Sequence, residues 1–80
     1  MKEQTFERML TAFSRRRPFK PFVVELVSGA QLTIDHPEAL VHRARAAMYI
    51  DREGNFTLFD NEGVSRLTDI KGNGSTRSRR

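Results

Sequence analysis

The sequence contains no cysteine and no tryptophan, and it has only three prolines and one tyrosine among 80 residues. The absence of cysteine excludes a disulfide framework, a thiolate zinc site and a cysteine nucleophile. No apolar run approaches the ~20 residues that a membrane-spanning helix needs, and no secretion-type segment opens the chain. We therefore expect a soluble cytoplasmic protein with no membrane partner.

The length favours one small domain, because 80 residues are too few for two independent cores and leave little room for an enzyme-sized pocket. The two histidines, His36 and His42, lie six positions apart, with Asp35 and Glu38 nearby. Such loose spacing favours a structural role for His36 in a turn, and a helix-start charge for Glu38, over a metal site. We predict a protein that is not an enzyme, with no catalytic or metal-binding residues, no cofactor and no small-molecule substrate.

The net charge of +4 is unevenly distributed along the chain. Residues 1–70 carry ten basic and ten acidic side chains, so this part is neutral. Residues 71–80 hold the whole excess and no apolar side chain, which predicts a disordered basic tail. Its cations are Lys71, Arg77, Arg79 and Arg80. Four further cations cluster within the neutral part and are called here the basic corner: Arg15, Arg16, Arg17 and Lys20.

An N-terminal helix is predicted at about residues 3–14. Apolar residues recur there at i, i+3, i+4 and i+7, namely Phe6, Met9, Leu10 and Phe13. This spacing places them on one stripe of the helix. Pro18 ends the helical pattern.

From Pro21 onward the apolar period changes to two, which is typical of strands. We predict five strands, near residues 22–27, 31–35, 46–50, 56–60 and 64–70, with a single helical turn at 37–40. Short turns between them allow antiparallel pairing and exclude parallel crossovers. The predicted fold class is therefore mainly β (α+β): residues 1–70 form a single small domain in which the helix covers a five-stranded, strongly bent antiparallel sheet, a small half-open barrel.

The alternation also predicts which side chains build the core. Our prediction comprises Phe6, Met9, Leu10, Phe13, Phe22, Val24, Leu26, Leu32, Ile34, Met48, Ile50, Phe56, Leu58, Leu67 and Ile70.

Two stretches of sequence carry a resemblance to short bacterial proteins without an assigned activity. Residues 15–22 (RRRPFKPF) match an Arg-Pro-Phe-x-Pro-Phe step, and residues 35–38 (DHPE) match a His-Pro-Glu step, with Gly29 between them. The resemblance covers most of residues 6–70. It implies membership of a group and no particular activity.

A looser similarity is to the Sm-like small barrels, which include the Hfq-type RNA chaperones. Residues 24–29 (VELVSG) are similar to the first strand and turn of that fold, and residues 70–73 (IKGN) look like its second RNA-contacting motif. In that family a further strand follows this motif, whereas here only residues 74–80 remain. The resemblance implies the topology of a small half-open barrel.

Two functions of different classes follow from these features. A half-open barrel leaves strand edges unpaired, so the chain is predicted to be a small interaction module that self-associates or binds a protein partner through its sheet edges or outer face. On that hypothesis the outer face includes Val23, Val27 and Phe59 as interface residues.

The alternative is weak, sequence-independent binding of RNA or DNA by the basic corner and the tail. The arginines of the corner could instead cap the helix C-terminus, and the tail could be a solvated end. The flanking Phe13, Phe19 and Phe22 are predicted to be core residues rather than a base-stacking platform, because the chain has only seven aromatic residues.

Overall fold

The computed structural model describes residues 1–70, which form one helix, six strands and two short 3-10 turns. Helix α1 is Glu3–Ser14, in agreement with the sequence pattern. Phe6 and Leu10 are its fully buried side chains, and they place its apolar stripe against the sheets.

The six strands have the following bounds: β1 is Phe22–Leu26, β2 is Gln31–Ile34, β3 is Leu40–Arg43, β4 is Ala46–Ile50, β5 is Phe56–Asp60 and β6 is Val64–Asp69. The 3-10 turns are Pro37–Ala39 and Asn61–Gly63.

The strands form two three-stranded antiparallel sheets. The first sheet has the order β2-β1-β6 and the second sheet has the order β3-β4-β5. The structure thus confirms a helix followed by antiparallel β-structure, but it does not confirm five strands in a single sheet. The additional strand is β3, which follows the turn at Pro37. Proline has no N–H to donate, so pairing is interrupted there and the chain begins a new ladder with β4.

One hydrophobic core lies between α1 and the two sheets. The Phe6 ring meets the Phe59 ring edge to face, with the ring centroids 6.1 Å apart. The buried residues of this core are Phe6, Leu10, Phe22, Val24, Ile34, Leu40, Ala47, Tyr49, Phe59, Val64 and Leu67. Four other predicted core residues pack against it while partly buried: Met9, Phe13, Leu26 and Leu32.

The predicted facing of β4 and β5 is wrong. The inward side chains are Ala47, Tyr49 and Phe59, so the larger apolar residues on either side of them point outward. Both strands carry apolar residues on both faces, so alternation alone cannot select the buried face. A shift of one residue in the assignment moves every side chain of the strand to the opposite face of the sheet. The predicted core residues that are not in the core are Met48, Ile50, Phe56, Leu58 and Ile70.

The predicted basic tail lies outside the described residues, and so do its cations Lys71, Arg77, Arg79 and Arg80. Within residues 1–70, the helix is neither long nor apolar enough to cross a membrane.

Candidate functional site

The basic corner follows the end of α1, and Arg16 differs there from its three companions. Its Nη1 donates to the Asp69 carboxylate at 2.6 Å, and its Nη2 donates to the Lys20 carbonyl at 2.8 Å. The guanidinium also lies 4.6 Å from the centroid of the Phe13 ring. These contacts connect the segment after the helix to β6, so Arg16 has a structural role and is less available to a partner.

The other three cations of the corner, Arg15, Arg17 and Lys20, are exposed. None of them forms an ion pair or side-chain hydrogen bond with another of residues 1–70. Arg15 and Arg17 border a shallow pocket of about 310 Å³ that Phe19 and Pro37 also line. The corner therefore offers three cations to an anionic partner.

The aromatic residues beside the corner belong to the core, as the sequence analysis predicted. Phe22 is fully buried, and the Phe13 and Phe19 rings pack edge to face against it at centroid distances of 5.1 and 6.2 Å. Phe13 and Phe19 are partly buried, and their contacts with Phe22 account for their position. We find no stacking platform for bases among these three residues.

A polar cluster joins the end of β2 to β4. The Tyr49 hydroxyl donates to Asp35 Oδ1 at 2.8 Å, and the Asp35 N–H donates to the Tyr49 oxygen at 3.2 Å. His36 Nδ1 lies 2.7 Å from the same carboxylate oxygen, and Arg52 Nε donates to Oδ2 at 3.1 Å. His36 thus contacts Asp35 just before the turn at Pro37, whereas sequence reasoning missed Tyr49 and Arg52.

These contacts shift ionisation within the polar cluster. Hydrogen bonds from Tyr49, His36 and Arg52 hold the pKa of the Asp35 carboxyl well below its usual range. Burial raises the pKa of the Tyr49 hydroxyl, because the phenolate would lose hydration. Asp35 is therefore ionised at neutral pH. Its carboxylate connects the end of the first sheet to the second sheet through hydrogen bonds from Tyr49 and Arg52.

The remaining polar candidates stand apart. His42 lies on β3 with a buried Nδ1 that has no hydrogen-bond partner among the described residues, and Glu38 is exposed in the turn after Pro37. Residues 1–70 contain no group of three or more His, Asp or Glu side chains placed to hold a metal ion.

The outer side of the second sheet carries a continuous apolar surface. We call it the apolar face; it comprises Val41, Met48, Ile50, Phe56 and Leu58. Register pairs Val41 with Met48 and Met48 with Leu58, while Ile50 pairs with Phe56. Val41 is 58% exposed, Phe56 63% and Leu58 71%. Large apolar side chains from three adjacent strands are thus exposed to solvent on one face of the sheet.

The first sheet is different on its outer side. Glu25 lies there between Gln31 and Arg66, and Arg66 Nε donates to Glu25 Oε1 at 2.6 Å. Val23 lies between Thr33 and Thr68 and is partly buried. The strands of the first sheet thus present a largely polar outer side, and their exposed large apolar residues, Val27 and Ile70, lie just beyond the ends of β1 and β6.

The edge of β5 adjoins the apolar face. The Asn61 N–H donates to the Arg45 carbonyl at 2.9 Å, which fixes the phase of the β4–β5 ladder. Hydrogen-bonded pairs alternate along an antiparallel ladder. The main-chain groups of Phe56, Leu58 and Asp60 therefore point away from β4, and they have no main-chain partner within residues 1–70.

A cleft of about 560 Å³ lies beside this edge, between β5 and the end of β1. Its lining includes Leu26, Val27 and Leu58, and Val27 is 68% exposed. Val27 is thus exposed, as the interaction hypothesis requires, but Phe59 is buried and the prediction that it lies on the outer face is wrong. The inverted facing of β5 explains this error, because Leu58 takes the outward position.

Comparison of the chain with protein-family models, with curated proteins and with solved structures gives no match.

Proposed function

We propose that this protein is a small non-enzymatic interaction module that self-associates or binds a protein partner through the apolar face and the adjoining edge of β5. The observation that carries the proposal is the joint exposure of Val41, Phe56 and Leu58 on three neighbouring strands. A contiguous apolar patch rimmed by polar residues is typical of an interaction site. Burying this patch in an interface contributes a favourable free energy of about 25 cal/mol for each Å² of apolar surface.

The edges of the sheets support the same location. The edge strand β2 exposes Gln31 and Thr33, and β6 exposes Ser65 and Arg66, so these two edges are polar. The edge strand β3 is contacted by α1. Among the four sheet edges within residues 1–70, only the edge of β5 combines main-chain groups that have no partner there with large exposed apolar side chains. Its strand also lacks the proline, lysine or bulge that usually protects an edge.

We also propose that the two sheets form one Sm-like half-open barrel, in which β2 and β3 are the two halves of a single bent strand. Supporting this, the chain passes directly from β2 through Pro37–Ala39 to β3, and both sheets share one core. Amide hydrogen exchange tests it. We expect β2 and β3 to become protected as one cooperative unit, whereas independent opening of the two sheets would contradict a single barrel.

Site-specific photo-crosslinking in the cells that express the protein tests the proposed surface. A benzophenone amino acid placed at Leu58 reports on the apolar face, and one placed at Arg8 reports on the exposed side of α1. We expect protein adducts from position 58 and few from position 8. Equal yields from the two positions, or no adducts at position 58, would show that the apolar face is not an interaction surface.

Weak nucleic-acid binding is a second candidate, and one observation favours it. Arg15, Arg17 and Lys20 are exposed at one corner and are not neutralised by acidic side chains of residues 1–70. Cations grouped in this way gain affinity for phosphates by releasing counterions. The absence of a base-stacking platform at Phe13 and Phe19 favours sequence-independent contacts with the backbone.

A further inference from the structure

The register of the second sheet arranges its outward side chains in rows that run across the strands. One row consists of Arg43 on β3, Ala46 on β4 and Asp60 on β5. All three are exposed, and Arg43 makes no ion pair within residues 1–70. This row borders the apolar face at one end, with a cation on one edge strand and an anion on the other.

We propose that the occupant of the apolar face is a second copy of this chain, packed face to face about a twofold axis parallel to β4. Arg43 of each copy then lies opposite Asp60 of the other. The inference rests on the proposed function and names its partner. A twofold interface uses the same patch on both copies, so the patch must complement itself.

The positions of the charges provide that complementarity. Rotation by 180° about an axis along β4 exchanges the two edge strands but keeps each row at its own height. Arg43 therefore meets Asp60 of the second copy, and Val41 meets Leu58 of the second copy. Met48 lies on the axis against its own equivalent. Packed sheets cross at about 30°, a tilt that long arginine side chains can accommodate.

The perpendicular twofold axis is disfavoured by the same residues. Rotation about an axis that runs across the strands inverts the order of the rows. Asp60 would then lie against Phe56 of the second copy, and Arg43 would lie against the start of β3. Each charge would lose hydration without gaining a partner, which is costly. The charged row thus selects one of the two face-to-face arrangements.

The size of the apolar face indicates a reversible dimer. Three strands spaced ~4.8 Å apart, each of about five residues, cover roughly 14 by 17 Å. This footprint is well below the ~800 Å² that each partner contributes to a standard interface. Interfaces of this size belong to weak, transient complexes, so we expect a dimer that forms reversibly at high protein concentration.

Charge reversal in two separate chains tests the arrangement. Arg43→Glu places like charges opposite each other in a homodimer, and so does Asp60→Lys. We expect each variant of the 80-residue chain to self-associate about tenfold more weakly in sedimentation equilibrium. In an equimolar mixture the two variants pair Glu with Lys and Asp with Arg. The mixture should regain the wild-type dissociation constant as a heterodimer, which native mass spectrometry identifies.

Two controls separate this effect from unfolding and from net charge. Arg8→Glu makes the same charge change on the exposed side of α1 and should leave self-association unchanged. Asp60 also accepts a hydrogen bond from the Gly63 N–H at 2.9 Å, so Asp60→Lys removes a cap. Asp60→Asn keeps an oxygen for that bond and removes only the charge. We expect it to weaken the dimer by about threefold without lowering the melting temperature.

The outcomes distinguish this inference from the proposed function. Recovery of the dimer in the mixture supports the arrangement. A dimer that the mixture does not restore overturns the arrangement, whereas crosslinking from Leu58 can still support the interaction surface. A wild-type chain that is monomeric at ~1 mM overturns the dimer, and adducts of Leu58 with another protein would then leave the proposed function standing. A monomer without adducts overturns both.

Discussion

Tyr49 and Asp35 bind each other through two hydrogen bonds: the Tyr49 hydroxyl donates to the carboxylate at 2.8 Å, and the Asp35 N–H donates to the hydroxyl oxygen at 3.2 Å. Tyr49 lies in β4 of the second sheet, and Asp35 directly follows β2 of the first. The pair therefore connects the two sheets near Pro37, where the strand pairing is interrupted. Such a buried phenol with a satisfied hydroxyl also fixes which side of β4 faces the core.

Removal of this hydroxyl is expected to weaken the connection. Tyr49→Phe keeps the ring in the core and removes the donor to Asp35. We expect the free energy of unfolding to fall by about 1–2 kcal/mol, because the carboxylate loses a charge-assisted hydrogen bond. Urea denaturation at pH 7 measures the change. Thr57→Val, at the position paired with Tyr49 in β5, is the control and should change stability much less. Equal effects of the two variants would contradict a special role for the Tyr49 hydroxyl.

The depressed pKa of Asp35 predicts a specific dependence of stability on pH. An unfolded aspartate titrates near ~3.9, whereas the folded carboxylate stays ionised to lower pH. Its stabilising contribution is complete above ~3.9 and is lost as the pH falls from there toward the folded pKa. The difference in melting temperature between wild type and Asp35→Asn should therefore shrink between about pH 5 and pH 2. A difference that stays constant over this range would contradict the prediction, and Glu38→Gln serves as an exposed control.

The facing of β5 is testable with two neighbouring residues. Phe59 is buried against Phe6, so Phe59→Ala should reduce the free energy of unfolding by about 3–5 kcal/mol. Leu58 is exposed, so Leu58→Ala should change it by less than about 0.5 kcal/mol. Chemical denaturation at ~1 µM protein, where the apolar face is not covered by a second copy, makes the comparison. If Leu58→Ala lowered the free energy of unfolding more than Phe59→Ala does, Leu58 would be the inward residue of β5, as the sequence pattern predicts.

The sequence predicts the helix and the facing of β1 correctly because charged side chains mark the outer side of each. In α1 one stripe is apolar and the opposite side is mostly charged or polar. In β1 the alternation places Phe22 and Val24 on one face of the strand and Glu25 on the other. The glycine in the predicted turn at Gly29 has a φ of 96°, a conformation that favours glycine. Local chemistry is sufficient for these elements.

Strands β4 and β5 show where this reasoning fails. Both have large apolar residues on two faces, so the choice depends on contacts with Phe6 and Asp35 that are distant in sequence. A signal was nevertheless present in β5. Asp60 shares its face with Leu58, so an inward Leu58 would turn a carboxylate toward the core at the strand end.

The candidate sites also depend on contacts between residues that are distant in sequence. The clustering of Arg15, Arg16, Arg17 and Lys20 is visible in the sequence, but the partner that occupies Arg16 is Asp69, which lies 53 residues away. The apolar face likewise depends on the register of three strands. Local patterns thus locate charged groups, whereas tertiary pairing decides which of them remain available.

The structural role of Arg16 leads to a fourth prediction. Arg16→Ala removes the hydrogen bonds to Asp69 and to the Lys20 carbonyl and uncovers the Phe13 ring. Because these groups are partly exposed, we expect a loss of only about 1 kcal/mol in the free energy of unfolding. Arg15→Ala is the matched control and should be neutral within about 0.5 kcal/mol. Thermal denaturation compares the two, and equal melting temperatures would show that the Arg16 contacts do not stabilise the fold.

The nucleic-acid proposal predicts a salt dependence that assigns binding to the corner or to the tail. Each phosphate contact with a single strand contributes roughly −0.7 to the slope of log K against log salt, so three contacts contribute about −2. Changing Arg15, Arg17 and Lys20 to alanine, with Arg16 retained to preserve the fold, should make the slope for single-stranded RNA less steep by about that amount. Changing the four tail cations to alanine gives the companion variant. If the corner variant keeps the wild-type slope while the tail variant no longer binds, the corner is not a binding site. A wild-type chain that does not bind RNA or DNA at ~50 mM salt would show that the nucleic-acid proposal is wrong.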